Sequence, residues 1–86
     1  MPKVSEFFGI SIYLYYRDHP PPHFHARYGS EEALISIRDL SVLEGRLSPR
    51  AMGLVIEWAA QHQDELLLAW GRAQNHEAPG KIEPLR

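Results

Sequence analysis

The chain contains no cysteine among its 86 residues, which excludes disulfides and cysteine-ligated zinc. It has no apolar run long enough to cross a bilayer, so no membrane partner is expected. The opening residues Met1-Pro2-Lys3-Val4-Ser5-Glu6 lack an apolar stretch followed by a small-residue cleavage site. No signal peptide is expected, and a cytoplasmic location follows as the default. Positive charge is also short: the net charge is −2, which argues against general binding to a phosphate backbone. Apolar residues at 44% and charged ones at 23% are ordinary for a globular protein. The expectation is one domain over residues 1–86. Its core should be thin, because a chain this small buries only about 60–65% of its unfolded surface.

Charge and histidine are both concentrated near the start. Residues 1–28 hold Lys3, Arg17 and Arg27 against Glu6 and Asp18, a net +1, whereas residues 29–86 carry a net −3. The run Asp18-His19-Pro20-Pro21-Pro22-His23-Phe24-His25-Ala26 places three of the five histidines around three consecutive prolines. Histidine changes charge near neutral pH and is the commonest metal ligand. Proline holds φ at about −65° and removes a backbone donor. The run is a stiff connector with imidazoles at its ends.

Residues 7–17 alternate Ile10, Ile12, Leu14 and Tyr16 with Ser11, Tyr13 and Tyr15, the period of a half-buried strand. Residues 23–28 continue it, with Phe24, Ala26 and Tyr28 against His23, His25 and Arg27. Gly29-Ser30 reads as a turn. A third strand is expected over 32–38, with Ala33, Ile35 and Ile37 on one face. A short fourth strand is expected over Ser41 to Glu44, ended by Gly45. Ser48-Pro49 is a helix start, with Leu47 and Met52 in staple positions. Met52, Val55, Ile56, Ala59, Leu66, Leu67 and Trp70 form a stripe at helical spacing. His62-Gln63-Asp64 interrupts that stripe, and a break with Asp64 capping a second helix is the alternative to one long helix running to about Gln74. Residues 81–85 read as a tail or a short edge strand. The expected fold is α+β: an antiparallel sheet of three or four strands, one face covered by a long C-terminal helix.

Register follows from parity, because a one-residue slip would turn a whole apolar set to the wrong side of the sheet. Ile10, Ile12, Leu14 and Tyr16 should share the helix-facing side with Phe24, Ala26 and Tyr28. Tyr13, Tyr15, Arg17, His23, His25 and Arg27 should lie on the opposite, solvated side, with His19 nearby. The loop over Asp18–Pro22 should be open, and a cis proline would suit it. As an extended polyproline run it would hold His19 and His23 about 12 Å apart.

The chain resembles domain of unknown function family 4160. The resemblance covers nearly the whole chain. It rests on Phe7-Phe8-Gly9-Ile10, on Asp18-His19 followed by Pro21-Pro22-His23-Phe24-His25-Ala26, on Gly45 before Leu47, and on Trp58, Asp64-Glu65-Leu66-Leu67 and Trp70. It departs from the usual pattern at Pro20, where the family more often has asparagine or another polar residue. The resemblance implies a small α+β domain, bacterial and cytoplasmic. It also implies a gene beside that of another small uncharacterised protein, an arrangement reminiscent of toxin–antitoxin pairs. It brings no catalytic residues.

Three functions compete. The preferred one is a partner-binding module of such a pair. Trp58, Leu54 and Leu68 lie outside the main helical stripe, and would form a row for a homodimer contact or a neighbouring-gene partner. The first alternative is RNA binding or cleavage, with His23 and His25 as acid and base and Arg17 and Arg27 stabilising developing charge. Tyr13 and Tyr15, with the same arginines, would then contact the nucleic acid. The second is a mononuclear divalent-metal site. His23 and His25, two apart on one strand, point the same way, with His19 or Asp18 as the third ligand.

Overall fold

The computed structural model describes residues 2–86. Five strands, β1 (Lys3–Phe7), β2 (Ile10–Tyr13), β3 (His23–Tyr28), β4 (Glu31–Ser36) and β5 (Val42–Gly45), precede two helices, α1 (Pro49–Gln61) and α2 (Gln63–Gln74). The strands form one antiparallel sheet in chain order. The fold class is thus α+β as expected, with one strand and one helix more than the sequence reading gave.

The extra strand arises because the expected strand over 7–17 is divided. Phe8 and Gly9 both take positive φ, +50° and +80°, as a two-residue hairpin turn with the twist of its strands requires. Phe7 therefore pairs with Ile10, and residues 3–7 return alongside β2. The sheet pairing ends at Tyr13. Leu14 stays buried and gives its backbone N–H to Pro2 O at 3.1 Å. Tyr16 does not join the core as expected. It is 42% exposed and stacks on the His76 ring at 5.5 Å, because the chain has already left the pleat that fixed its side.

Parity holds within the sheet. Ile10 pairs with Tyr28 and Ile12 with Ala26, while Phe24 and Ala26 oppose Ile35 and Ala33. Phe24, Ala26, Ala33 and Ile35 are wholly buried, and Tyr28 packs against the same cluster. The other parity also shares a side, but His23 and His25 are not solvated as expected: they are buried, at 1% and 7% exposure. The covering groups are Tyr15, Asp18 and His19 from the loop and Trp70 from α2.

The helical region breaks at His62, whose φ of −132° and ψ of 23° leave the helical basin. Asp64 and Glu65 fall in the first turn of α2, where their charge suits the positive end of the helix dipole. The Gln63 side chain ties the break to the sheet through Ile37 O and Arg38 O at 2.8 and 3.1 Å. At the start of α1, Pro49 occupies the first turn. Ser48 makes no side-chain cap, and its backbone N–H instead reaches Glu31 Oε1 at 2.8 Å.

The expected exposed row on the helix does not exist. Trp58 is completely buried, packed against Phe7 and Phe24 with ring centroids 5.4 and 5.9 Å away. Its indole N–H donates to Glu83 O at 2.7 Å. Leu54 is half-buried against the core, and Leu68 alone is well exposed, at 63%. The break at His62 puts Leu54 and Leu68 on different helices, and the C-terminal segment covers Trp58. That segment is irregular, but Ile82 and Leu85 are buried, and Ile82 N–H bonds Val4 O at 2.8 Å along the outer side of β1. No helix of the described residues is long and apolar enough to cross a membrane.

Candidate metal centre

The histidine–proline run supplies three converging groups from eight residues of chain. After β2 the backbone turns through Arg17 at φ +53°, and Arg17 N–H bonds Ala73 O at 3.2 Å. The Gln74 side chain then holds Asp18 O at 2.8 Å. The loop is thereby fastened to the end of α2, with the Asp18 carboxylate above the first residues of β3. The Pro20–Pro21 bond is cis. His19 and His23 have ring centroids 5.2 Å apart, far closer than an extended polyproline run allows.

Both buried imidazoles turn Nε2 towards one oxygen. His23 Nε2 and His25 Nε2 each lie 2.9 Å from Asp18 Oδ2. The remaining nitrogens are committed elsewhere: His23 Nδ1 to Pro21 O at 2.8 Å, His25 Nδ1 to Glu32 Oε2 at 3.2 Å. One ligand atom from each of Asp18, His23 and His25 falls within 4.8 Å of the others.

The protons can be counted. A carbonyl only accepts, so His23 Nδ1 carries a hydrogen, and in the neutral ring Nε2 is a lone pair. That lone pair would face a carboxylate oxygen. Even with a second hydrogen the contact is misaligned, and the buried His23 Nε2 makes no hydrogen bond. His25 has carboxylates at both nitrogens and, when neutral, a single hydrogen to give them. The constellation lacks positive charge between its three inward atoms. A second proton on each ring would supply it, and so would a divalent cation bound by both Nε2 atoms and Asp18.

Burial alone would raise the Asp18 carboxyl. The hydrogen bond from His25, the backbone N–H of His19, and the charges of His23 and His25 outweigh burial and hold it below the ordinary aspartate range. Tyr15 lies with its ring centroid 4.1 Å from that of His25 and 6.4 Å from that of Tyr13. Burial, followed by the negative charge of Glu32, pushes its phenol up, with Arg27 opposing. Arg27 is exposed, two residues beyond His25 on the same strand side.

The structure therefore gathers His23, His25, Tyr13 and Tyr15 around the start of β3, and Arg27 lies further along the same side, towards the hairpin. His19 is at the rim, its side chain 68% exposed and its Nε2 3.8 Å from Asp18 Oδ1. Asp18 occupies the third inward position. Among the described residues, no ion pair or side-chain hydrogen bond joins Arg17 to this group. Sequence reasoning missed Glu32 altogether. The Gly29-Ser30 turn carried the signal, because it sets Arg27 opposite Glu32 and so places Glu32 diagonally from His25.

Residues 9–71 match the family described as Domain of unknown function (DUF4160). No curated protein matches the chain, and no solved structure does.

Proposed function

The chain belongs to the DUF4160 family, a domain of unknown function, and on that premise we propose that it binds one divalent transition-metal ion through Asp18, His23 and His25. One observation carries this reading. Both imidazoles set Nδ1 against an oxygen acceptor and turn Nε2 to a common point beside a carboxylate. Histidines that ligate metals are oriented in this way by their second nitrogen. Zinc bound at about 2.0–2.2 Å to N and O ligands keeps those atoms roughly 3.3 Å apart in a tetrahedron. The 2.9 Å contacts to Asp18 Oδ2 need only a few tenths of an ångström of relaxation. Two imidazoles and one carboxylate leave at least one coordination position for water or another ligand. The donor set suits zinc, cobalt, nickel or ferrous iron better than calcium or magnesium.

Cobalt(II) and zinc titrations of the metal-free protein test the reading. The expected result is one ion per chain, with visible cobalt bands in the wild type. His23→Gln and Asp18→Asn should each lose those bands. A wild type that takes up neither ion at low millimolar concentration rules the reading out.

The partner-binding reading, as one member of a toxin–antitoxin-like pair, loses its anchor with the burial of Trp58. What supports it now is β5, the strand at one edge of the sheet, where Val42 and Leu43 are 46% and 41% exposed. The RNA reading is supported by the Tyr13–Tyr15 pair beside His25 and by exposed Arg27. Neither accounts for the buried His23 Nε2, which lies 2.9 Å from Asp18 Oδ2 without a hydrogen bond.

A further inference from the structure

We infer that Glu32 is a positioning residue of this centre. It fixes the hydrogen of His25 on Nδ1 and thereby sets the strength with which His25 holds the ion. The inference rests on the metal reading. It goes beyond the three ligands, because Glu32 touches His25 and lies outside the converging set.

The Glu32 carboxylate turns away from its cross-strand neighbour. Arg27 lies directly opposite Glu32 across the β3–β4 ladder, the position where an opposite-charge pair normally forms. No Arg27–Glu32 ion pair forms among the described residues, and the carboxylate reaches diagonally to His25 Nδ1 instead. The Glu32 backbone is also held in place. Glu32 O accepts the Arg46 N–H at 3.1 Å, and Gly45 is packed directly against that oxygen. Its neighbour Glu31 is used otherwise, bonded to the Ser48 N–H at the start of α1.

The chemistry follows from these contacts. An imidazole that donates Nδ1–H to a carboxylate keeps its lone pair on Nε2, the atom facing the ion. The adjacent negative charge makes that lone pair a stronger donor. His23 has only a neutral carbonyl at the equivalent place. The two histidines are therefore unequal ligands, with His25 the stronger.

The test compares Glu32→Ala and Glu32→Gln with the wild type. Zinc affinity is measured by competition with a chromophoric chelator. The tautomer of His25 is read by long-range nitrogen–proton NMR, with and without zinc, and thermal unfolding is followed in EDTA. Glu32→Ala should weaken zinc binding about 10- to 100-fold, with Glu32→Gln, which keeps an acceptor oxygen, in between. In the metal-free protein, Glu32→Ala should reduce the Nδ1–H population of His25 while leaving His23 as it was. Its midpoint in EDTA should stay close to that of Arg27→Ala, a neighbouring surface change. Wild-type zinc binding that His23→Gln abolishes and Glu32→Ala leaves unchanged overturns this inference alone. An unaltered His25 tautomer in Glu32→Ala does the same. Absence of zinc uptake by the wild type overturns the metal reading and this inference with it.

Discussion

The carbonyl oxygen of Glu32 lies only 2.1 Å from where a Cβ on residue 45 would stand, and residue 45 is glycine at φ +76°. Gly45 pairs with Ala33 at the last position of β5, and the Arg46 N–H that follows reaches that same oxygen. Gly45→Ala should therefore suffer both backbone strain, roughly 1–3 kcal/mol for a residue forced into a sparse region, and a clash that only movement of β5 relieves. Gly29, at φ +61° with nothing within 4 Å of its Cβ position, isolates the strain alone. Gly29→Ala should cost roughly 1–2 kcal/mol. Denaturant midpoints of the two variants check the order, and equal losses would count against the clash.

Trp58 should behave as a core residue. Trp58→Ala removes a fully buried indole and should cost about 3–5 kcal/mol. Trp58→Phe keeps most of the packing but leaves Glu83 O without its donor, and should cost about 1 kcal/mol from the lost bond together with some packing. Chemical denaturation measures both losses. Sedimentation of the folded variants should match the wild type. A variant of near-wild-type stability with altered association would restore Trp58 as an interface anchor.

How far the sequence revealed this arrangement depended on whether the controlling signal was local. Alternation fixed which residues of β2, β3 and β4 share a side, because parity survives errors in strand ends. It failed at Tyr16, where the chain had left the sheet. The Phe8-Gly9 turn escaped notice because an aromatic residue stands where a hairpin more often has asparagine or aspartate. Helical spacing could not show that a C-terminal segment folds back over Trp58, a contact between residues 25 apart. At the centre, the shared orientation of His23 and His25 was legible from their spacing. Their burial was not, since it comes from a loop and from Trp70 on α2. Nor could the sequence choose between Asp18 and His19, because that depends on how the prolines turn.

Acid should weaken the fold in part through the β4–β5 turn. The Ser41 hydroxyl and backbone N–H, 2.7 and 3.0 Å from Asp39 Oδ1, hold the Asp39 carboxyl below its ordinary value of about 3.8. The folded pKa is lowered, so the stabilisation is present above the unfolded value and is lost as pH falls through the folded one. Glu6, bonded to Lys3, shifts in the same direction and adds to the same window. Asp39→Asn should flatten the decline in stability below about pH 4, measured as thermal midpoint against pH. A decline as steep as in the wild type would show that the turn contributes nothing.

Metal should stabilise the protein by mass action. Free zinc at 100 times the dissociation constant adds about 2.7 kcal/mol if the unfolded chain does not bind it. Calorimetric scans should show the midpoint rising with zinc and returning with EDTA, and His23→Gln should show neither change. An equal rise in His23→Gln would place the bound ion elsewhere, for example near His62 or His76.

The C-terminal segment limits how this sheet can grow. A bare strand edge offers unpaired N–H and C=O groups to other chains, and a sheet bare on both sides can add copies without end. Here Ile82 N–H occupies Val4 O, and the segment containing Ile82 and Leu85 runs beside β1. β5, only four residues long, is the edge left open. Two chains joined through β5 would offer a third only β1 edges that the C-terminal segment partly covers. Growth of the sheet beyond a pair would then compete with the last residues for their place.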